Sequence, residues 1–188
     1  MRTTLQGTTI VLGVTGSIAA YKAGTLARLL VKEEARVRVV LTKAGARFVT
    51  AHTFAPLAGG RVYDEMFEEP PPSRPVHLDI PDGADAVLVA PASADFIGRL
   101  AAGLGDDLLA SVCLAAVCPL LIAPAMHHQM WANRIVQHNV ARLVSFGVRV
   151  VGPARGELAG RDQGQGRMSE PEDIVAALRT VIVGEQTA

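Results

Sequence analysis

The sequence predicts an α/β protein built on a doubly wound parallel sheet in three layers, Rossmann-like in plan. Three observations predict it. Short β-rich runs alternate with longer stretches of helical apolar spacing along the whole chain. The short runs are apolar without alternation, as in strands buried on both faces. The first run passes through glycines directly into a helix, the connection used where such sheets bind ligands.

Each element follows in order. Thr8-Thr9-Ile10-Val11-Leu12-Gly13 reads as the first strand. A helix is expected over Ile18 to Glu34, with Ala20, Ala23, Leu26, Ala27 and Leu30 at helical spacing. Val37 to Leu41 is the second strand, and Lys43 to about Leu57 has a weaker helical pattern. Phe67 to Pro75 is proline-rich and reads as an extended loop, because proline fixes φ and lacks a donor. Ala86 to Ala90 is a third strand; Ala94 to Ala102 and Asp107 to Val117 are helices; Leu120 to Ala123 is a fourth strand. Met130 to Phe146 reads as one helix ended by Gly147, and Val148 to Val151 as a fifth strand. Gly152 to Met168 reads as a polar, glycine-rich loop, and Pro171 to about Val183 as the last helix.

Composition narrows the function classes. The 188 residues suit one domain, expected over 1–188, with a flap at about 152–168. The chain is 49% apolar and 19% charged with zero net charge, which excludes a disordered chain and gives no basic surface for nucleic acid. With 4% aromatic residues it also lacks a base-stacking platform. No apolar stretch reaches membrane-spanning length and the N-terminus carries no signal-peptide pattern, so a cytoplasmic protein with no membrane partner is expected. Cys113 and Cys118 lie in an apolar segment and read as core residues.

In a doubly wound sheet, ligands sit beyond the carboxyl ends of the strands. That rule selects Gly13 to Ser17, Thr42, Pro91 to Asp95 and Pro124 to Met130. The turn Gly13-Val14-Thr15-Gly16-Ser17 offers backbone N–H groups and a helix N-terminus to an anion, and Thr15 and Ser17 add hydroxyls. A mononucleotide P-loop would need Lys followed by Ser or Thr after its second glycine, and none is present. A dinucleotide site would put an acidic residue at the end of the second strand, where this chain has Leu41-Thr42. A neutral hydroxyl there favours FMN over NAD.

Pro91-Ala92-Ser93-Ala94-Asp95 and Pro124-Ala125-Met126-His127-His128-Gln129-Met130-Trp131 resemble the paired signatures of the homo-oligomeric flavin-containing cysteine decarboxylases. Those signatures read roughly P-A-S-A-N-T and P-x-M-N-x-x-M-W. The turn at Gly13, the surroundings of His77, and Gly164-Gln165-Gly166-Arg167-Met168 match as well, so the resemblance spans about residues 8 to 183. It implies a flavodoxin-like flavoprotein that binds FMN and assembles as a trimer or dodecamer. It also implies a flavin site at Gly13, Thr15, Gly16, Ser17, Thr42, Ala90, Pro91, Ala92, Ser93, Ala94, Asp95 and Met126. His77 would be the proton-transfer residue, with an imidazole suited to neutral pH. Met126, His127, Arg167 and Met168 would meet the substrate.

The chain departs from the family pattern at several places. Asp95 and Phe96 stand where Asn and Thr are usual, and His127 where the pattern has an Asn understood to bind the substrate carboxylate. His127 is nonetheless expected in the catalytic set with His77. Gly160 occupies the position of a flap cysteine, in a run the family writes A-C-G-x-x-G-x-G-R-M. That cysteine is held to help return a proton and reducing equivalents to an enethiol intermediate. Its loss suggests an enzyme that stops at the enethiol. The expectation is therefore oxidative decarboxylation of a C-terminal peptidyl cysteine, as in natural-product peptides. Phosphopantothenoylcysteine decarboxylation is the alternative, with a Cys-terminated peptide or a small cysteine derivative as the two substrate classes. A non-catalytic FMN-binding regulatory subunit is a further reading, and a flavin prenyltransferase lacks its serine-rich loop here. No metal site is expected: His127 and His128, as neighbours on a helix, should diverge, and no carboxylate or cysteine is suitably spaced.

Overall fold

Six parallel strands form one sheet in the order β3-β2-β1-β4-β5-β6. They are β1 Thr9–Val14, β2 Arg36–Leu41, β3 Val62–Tyr63, β4 Ala86–Ala92, β5 Leu120–Pro124 and β6 Arg149–Val150. The structure is a computed structural model and describes residues 4–67, 73–159 and 162–185. The two central strands, β1 and β4, are buried at every residue, which is why they read as unbroken apolar runs.

The pleat sends alternate residues to opposite faces and so makes two cores. On one face Leu12, Leu88 and Leu121 pack with Leu26 and Leu30 of α1 (Tyr21–Lys32) and Leu178 of α8 (Pro171–Glu185). On the other, Val11, Val87, Val89 and Ile122 pack with Phe96 and Ile97 of α4 (Ala94–Ala101), Leu109 and Val112 of α5 (Leu108–Ala115), and Leu143 of α7 (Arg134–Ser145). This is the three-layer, doubly wound arrangement expected from the sequence. Gly13 lies inside β1, and a Cβ there would meet Leu109 Cδ1 at 2.4 Å. Its small size therefore serves helix–sheet packing, whereas the sequence reading placed it in the ligand turn.

Several elements differ from the sequence reading. β3 has two half-buried residues, too few to give a periodic signal. The stretch after β2 divides into a 3₁₀ turn, Gly45–Arg47, and α2, Ala51–Ala58. The helix expected from Met130 breaks at Asn133, whose side chain accepts from Ile135 N–H and starts α7 afresh. Ahead of it stands α6, His128–Trp131. The expected loop from Gly152 to Met168 contains an antiparallel hairpin of β7, Ala154–Glu157, and β8, Gln163–Arg167. Its Gly, Gln and Arg residues show no apolar alternation, so the pattern hid it. The proline-rich segment falls partly outside the described residues; α3, Val76–Asp79, follows it.

Cys113 is buried, and burial pushes its thiol pKa well above the ordinary value. That agrees with its reading as a core residue. Among the described residues, no helix is long and apolar enough to cross a membrane.

Leu88 is fully buried and pairs in register with Leu12 and Leu121 at the centre of the sheet. Leu88→Ala is expected to cost about 2–5 kcal/mol, read as a lower urea midpoint at unchanged slope.

Candidate active site

The strand order reverses between β1 and β4, and the two chains leave the sheet there in opposite directions. In sheets of this kind such a switch point is where ligands bind, beyond the carboxyl ends of both strands. Thr15, buried at the end of β1, holds its two sides together. Its hydroxyl donates to Pro91 O at 2.7 Å and accepts from Ser93 N–H at 2.9 Å. Ser17 extends the tie by donating to Ala125 O at 3.4 Å, and Ala125 N–H donates to Ala92 O at 3.1 Å. The loops after β1, β4 and β5 thus form one hydrogen-bonded rim.

That rim revises the expected roles of its hydroxyls. Thr15 Oγ1 is committed both as donor and as acceptor within the chain. Thr42 Oγ1 accepts from Gly45 N–H at 3.0 Å and lies 3.4 Å from Val14 O, so it shapes its own turn. Both shape the site; neither hydroxyl is left to meet a phosphate. Ser17 Oγ and Ser93 Oγ cap the helical segments that follow them, accepting from Ala19 N–H and Phe96 N–H. Among the described residues, the N–H groups of Gly16 and Ser17 have no acceptor. They stand where the chain turns into α1, and the helix dipole adds to their pull on an anion. A Cβ on Gly16 would meet Ala44 Cβ at 2.6 Å, so only glycine lets the turn lie this close to the loop after β2. Free amides, a close-packed glycine and a helix start fit the phosphate of a flavin mononucleotide.

The remaining expected flavin residues divide by burial. Ala90, Pro91 and Ala92 belong to β4 and are buried. Ala94 is half-buried, and Asp95 is exposed and paired with Arg99 at 3.1 Å. Met126 is half-buried, and its N–H donates to Gly166 O at 2.9 Å.

The hairpin closes on the turn between β5 and α6 through two glycines on one face of β8. A Cβ on Gly164 would meet His128 Cβ at 2.5 Å, and one on Gly166 would meet Met126 O at 2.2 Å. His127 is the N-cap of α6: its Nδ1 accepts from Gln129 N–H at 3.3 Å, and its Nε2 lies 2.8 Å from Asp162 Oδ2. The bond from His127 holds the Asp162 carboxyl below its usual pKa. Asp162 carried no sequence signal, because its partner is 35 residues away. It also corrects the expectation that no carboxylate could reach these histidines.

Arg167 and Met168 are placed differently from the expectation. Arg167 is ion-paired with Glu170, which also binds Lys22 Nζ at 2.9 Å. Met168 is buried in the core at 1% exposure, where it anchors the end of the hairpin. His77 sits half-buried on α3, and among the described residues no hydrogen bond joins it to the rim. Gly160 lies outside the described residues.

The chain belongs to the flavoprotein family, which it matches over residues 1–183. Among curated proteins it is 47% identical to the coenzyme A biosynthesis bifunctional protein CoaBC of Haemophilus influenzae, over 93% of this chain and 44% of that protein. It is 45% identical to CoaBC of Mycobacterium tuberculosis strain H37Rv, over 92% of this chain and 41% of that protein. The chain therefore spans less than half the length of these relatives. Among solved structures it resembles a cysteine-to-serine variant of PPC decarboxylase complexed with pantothenoylaminoethenethiol, at TM-score 0.80 and 30% identity, covering 92% of this chain and 96% of that one. The FMN-dependent cysteine decarboxylase SpaF gives TM-score 0.81 at 26% identity, covering 97% and 99%. The expectation of a flavoprotein similar to the FMN-dependent cysteine decarboxylases is borne out.

The expected substrate is not. The strong identity is to coenzyme A proteins, and this overturns the reading of a peptidyl-cysteine enzyme of natural-product biosynthesis. That reading rested on one flap position. A missing thiol removes one candidate proton donor; it does not build a pocket for a peptide.

Glu170 is the hub between α1 and the hairpin. Its hydrogen bond from Lys22 holds its carboxyl below the usual range, with Arg167 adding to the effect. A depressed folded-state pKa contributes stability above the unfolded carboxyl pKa and loses it as pH falls through the folded value. Glu170→Gln is expected to lower the melting temperature at neutral pH and to flatten its decline toward acid pH, read by thermal melts across that range.

Proposed function

We propose that this chain catalyses the FMN-dependent decarboxylation of phosphopantothenoylcysteine in coenzyme A biosynthesis. The observation that carries the reading is its 47% identity to a coenzyme A biosynthesis protein across nearly its whole length. The switch-point crevice, with the two free amides of Gly16 and Ser17, supplies a matching cofactor seat. We place the active unit in the cytoplasm as a single domain that assembles as a trimer or a dodecamer, with 152–168 as its flap.

Decarboxylating a plain cysteine would leave an unstabilised carbanion. FMN, when bound, would supply a reversible two-electron sink for the thiol-bearing carbon. The net reaction is then loss of CO₂ with no net change in hydrogen. The chain's own residues bind, orient and move protons. Gly16 and Ser17 N–H groups hold the flavin phosphate, with Ser93, Ala94 and Asp95 on the opposite side of the crevice. Met126 and the His127 imidazole hold the substrate carboxylate; His127 Nε2 exchanges its Asp162 partner for that carboxylate. The loss of CO₂ is favoured when water is kept away, which closer approach of the hairpin to this turn on substrate binding would bring about. His77 accepts and returns the proton.

Incubation of the FMN-loaded protein with phosphopantothenoylcysteine is expected to release CO₂ and leave the saturated thiol product, followed by mass spectrometry. A product lighter by a further two hydrogens, or no turnover, would refute the proposal. His77→Asn is expected to keep the flavin spectrum and lower kcat by about 100-fold or more, whereas unchanged kcat would remove His77 from the mechanism.

A further inference from the structure

The geometry points to a divalent transition-metal site formed by His127, His128 and Asp162, clasping the hairpin to the turn after β5. One ligand atom from each of the three lies within 4.8 Å of the others, and no other such group occurs among the described residues. Neighbouring residues on a helix diverge. Here His127 is the N-cap, with extended backbone at φ −60° and ψ 145°, and only His128 is helical. The change of backbone between them lets the rings converge, with centroids 4.3 Å apart.

Asp162 comes from the other side. It sits one residue before β8, and β8 is pressed onto this turn at Gly164 and Gly166. The three ligands are therefore brought together by packing that exists without an ion. His127 Nε2 and Asp162 Oδ2 stand 2.8 Å apart. Ligands bound at roughly 2.0–2.2 Å in a tetrahedron stand about 3.4 Å from each other, so a cation needs only a small opening of that pair. Binding at Nε2 shifts the ring proton to Nδ1, and the long 3.3 Å cap from Gln129 N–H is given up.

Two imidazoles and one carboxylate suit Zn²⁺ and its neighbours rather than Mg²⁺ or Ca²⁺, which take oxygen ligands. Three protein ligands leave the fourth position to water. With side-chain exposures of 34% for His127 and 55% for Asp162, an ion can enter from solvent. An occupied site fastens hairpin and turn together and withdraws His127 from a substrate carboxylate. Metal binding itself does not depend on the decarboxylase reading; only its effect on turnover does.

The test is calorimetric titration of Zn²⁺ into the FMN-loaded full chain and into His128→Ala and Asp162→Asn. Alanine at 128 keeps the Cβ that Gly164 packs against, and the flavin spectrum reports that each variant is folded. The expected result is one Zn²⁺ per chain, with affinity at least about tenfold weaker in each variant. Absence of saturable binding, or unchanged affinity in either variant, overturns the site. Slower trypsin cleavage within 154–167 on adding Zn²⁺ to the parent, and not to the variants, is the expected second readout; an unchanged rate in the parent overturns the clasp.

Discussion

The site depends first on the Thr15 hydroxyl. One buried oxygen satisfies Pro91 O and Ser93 N–H together and fixes the end of β1 against the end of β4. A buried polar group left without its partner costs about 1–3 kcal/mol, so the hydroxyl and both backbone groups stabilise one arrangement of the two loops. The parallel sheet requires the strands to part at this point, and Thr15 sets how far they part. The free amides of Gly16 and Ser17 follow next along the chain, and their aim is inherited from that bond. Ser17 and Ala125 carry the same positioning across to the loop after β5.

A second positioning system reaches the same crevice from the C-terminal side. Lys22 near the start of α1, Arg167 at the end of β8 and Glu170 before α8 form one charge cluster. It joins α1, which follows the Gly16 turn, to the hairpin packed on the turn after β5. Lys22 is largely buried, so its partner is needed to offset the loss of hydration. Met168, inserted between the two paired groups in sequence, adds an apolar anchor in the core. The start of α1 and the end of the hairpin are thus tied together, although they lie about 150 residues apart along the chain.

Much of this was legible in the sequence. Unbroken apolar runs gave the buried parallel strands, and the glycine turn located the seat, because both signals are local. What was illegible depended on distant partners. Thr15 and Thr42 looked like phosphate donors until their hydroxyls were found committed to the backbone. The hairpin was invisible because it is held by close approach of glycines, and its polar residues carry no periodicity. His127 and His128 were expected to diverge because both were read as helical, whereas His127 is the extended N-cap and only His128 lies on the helix. Gly160 led the substrate reading astray, since one position was asked to decide a specificity that many residues set together.

Gly164 and Gly166 give the contact between the hairpin and the turn after β5 an unusual character. Where β8 meets the turn after β5, Gly166 lies against main chain and Gly164 against the base of the His128 side chain. Sequence drift cannot gradually reshape such a wall, because any added carbon pushes the whole hairpin away. Divergence of specificity among proteins with this arrangement must therefore enter from its edges: the tip between β7 and β8, and the residues of α6. These two places, the turn that joins the hairpin strands and the short helix that begins at His128, are where a single fold can be retuned without losing its closure.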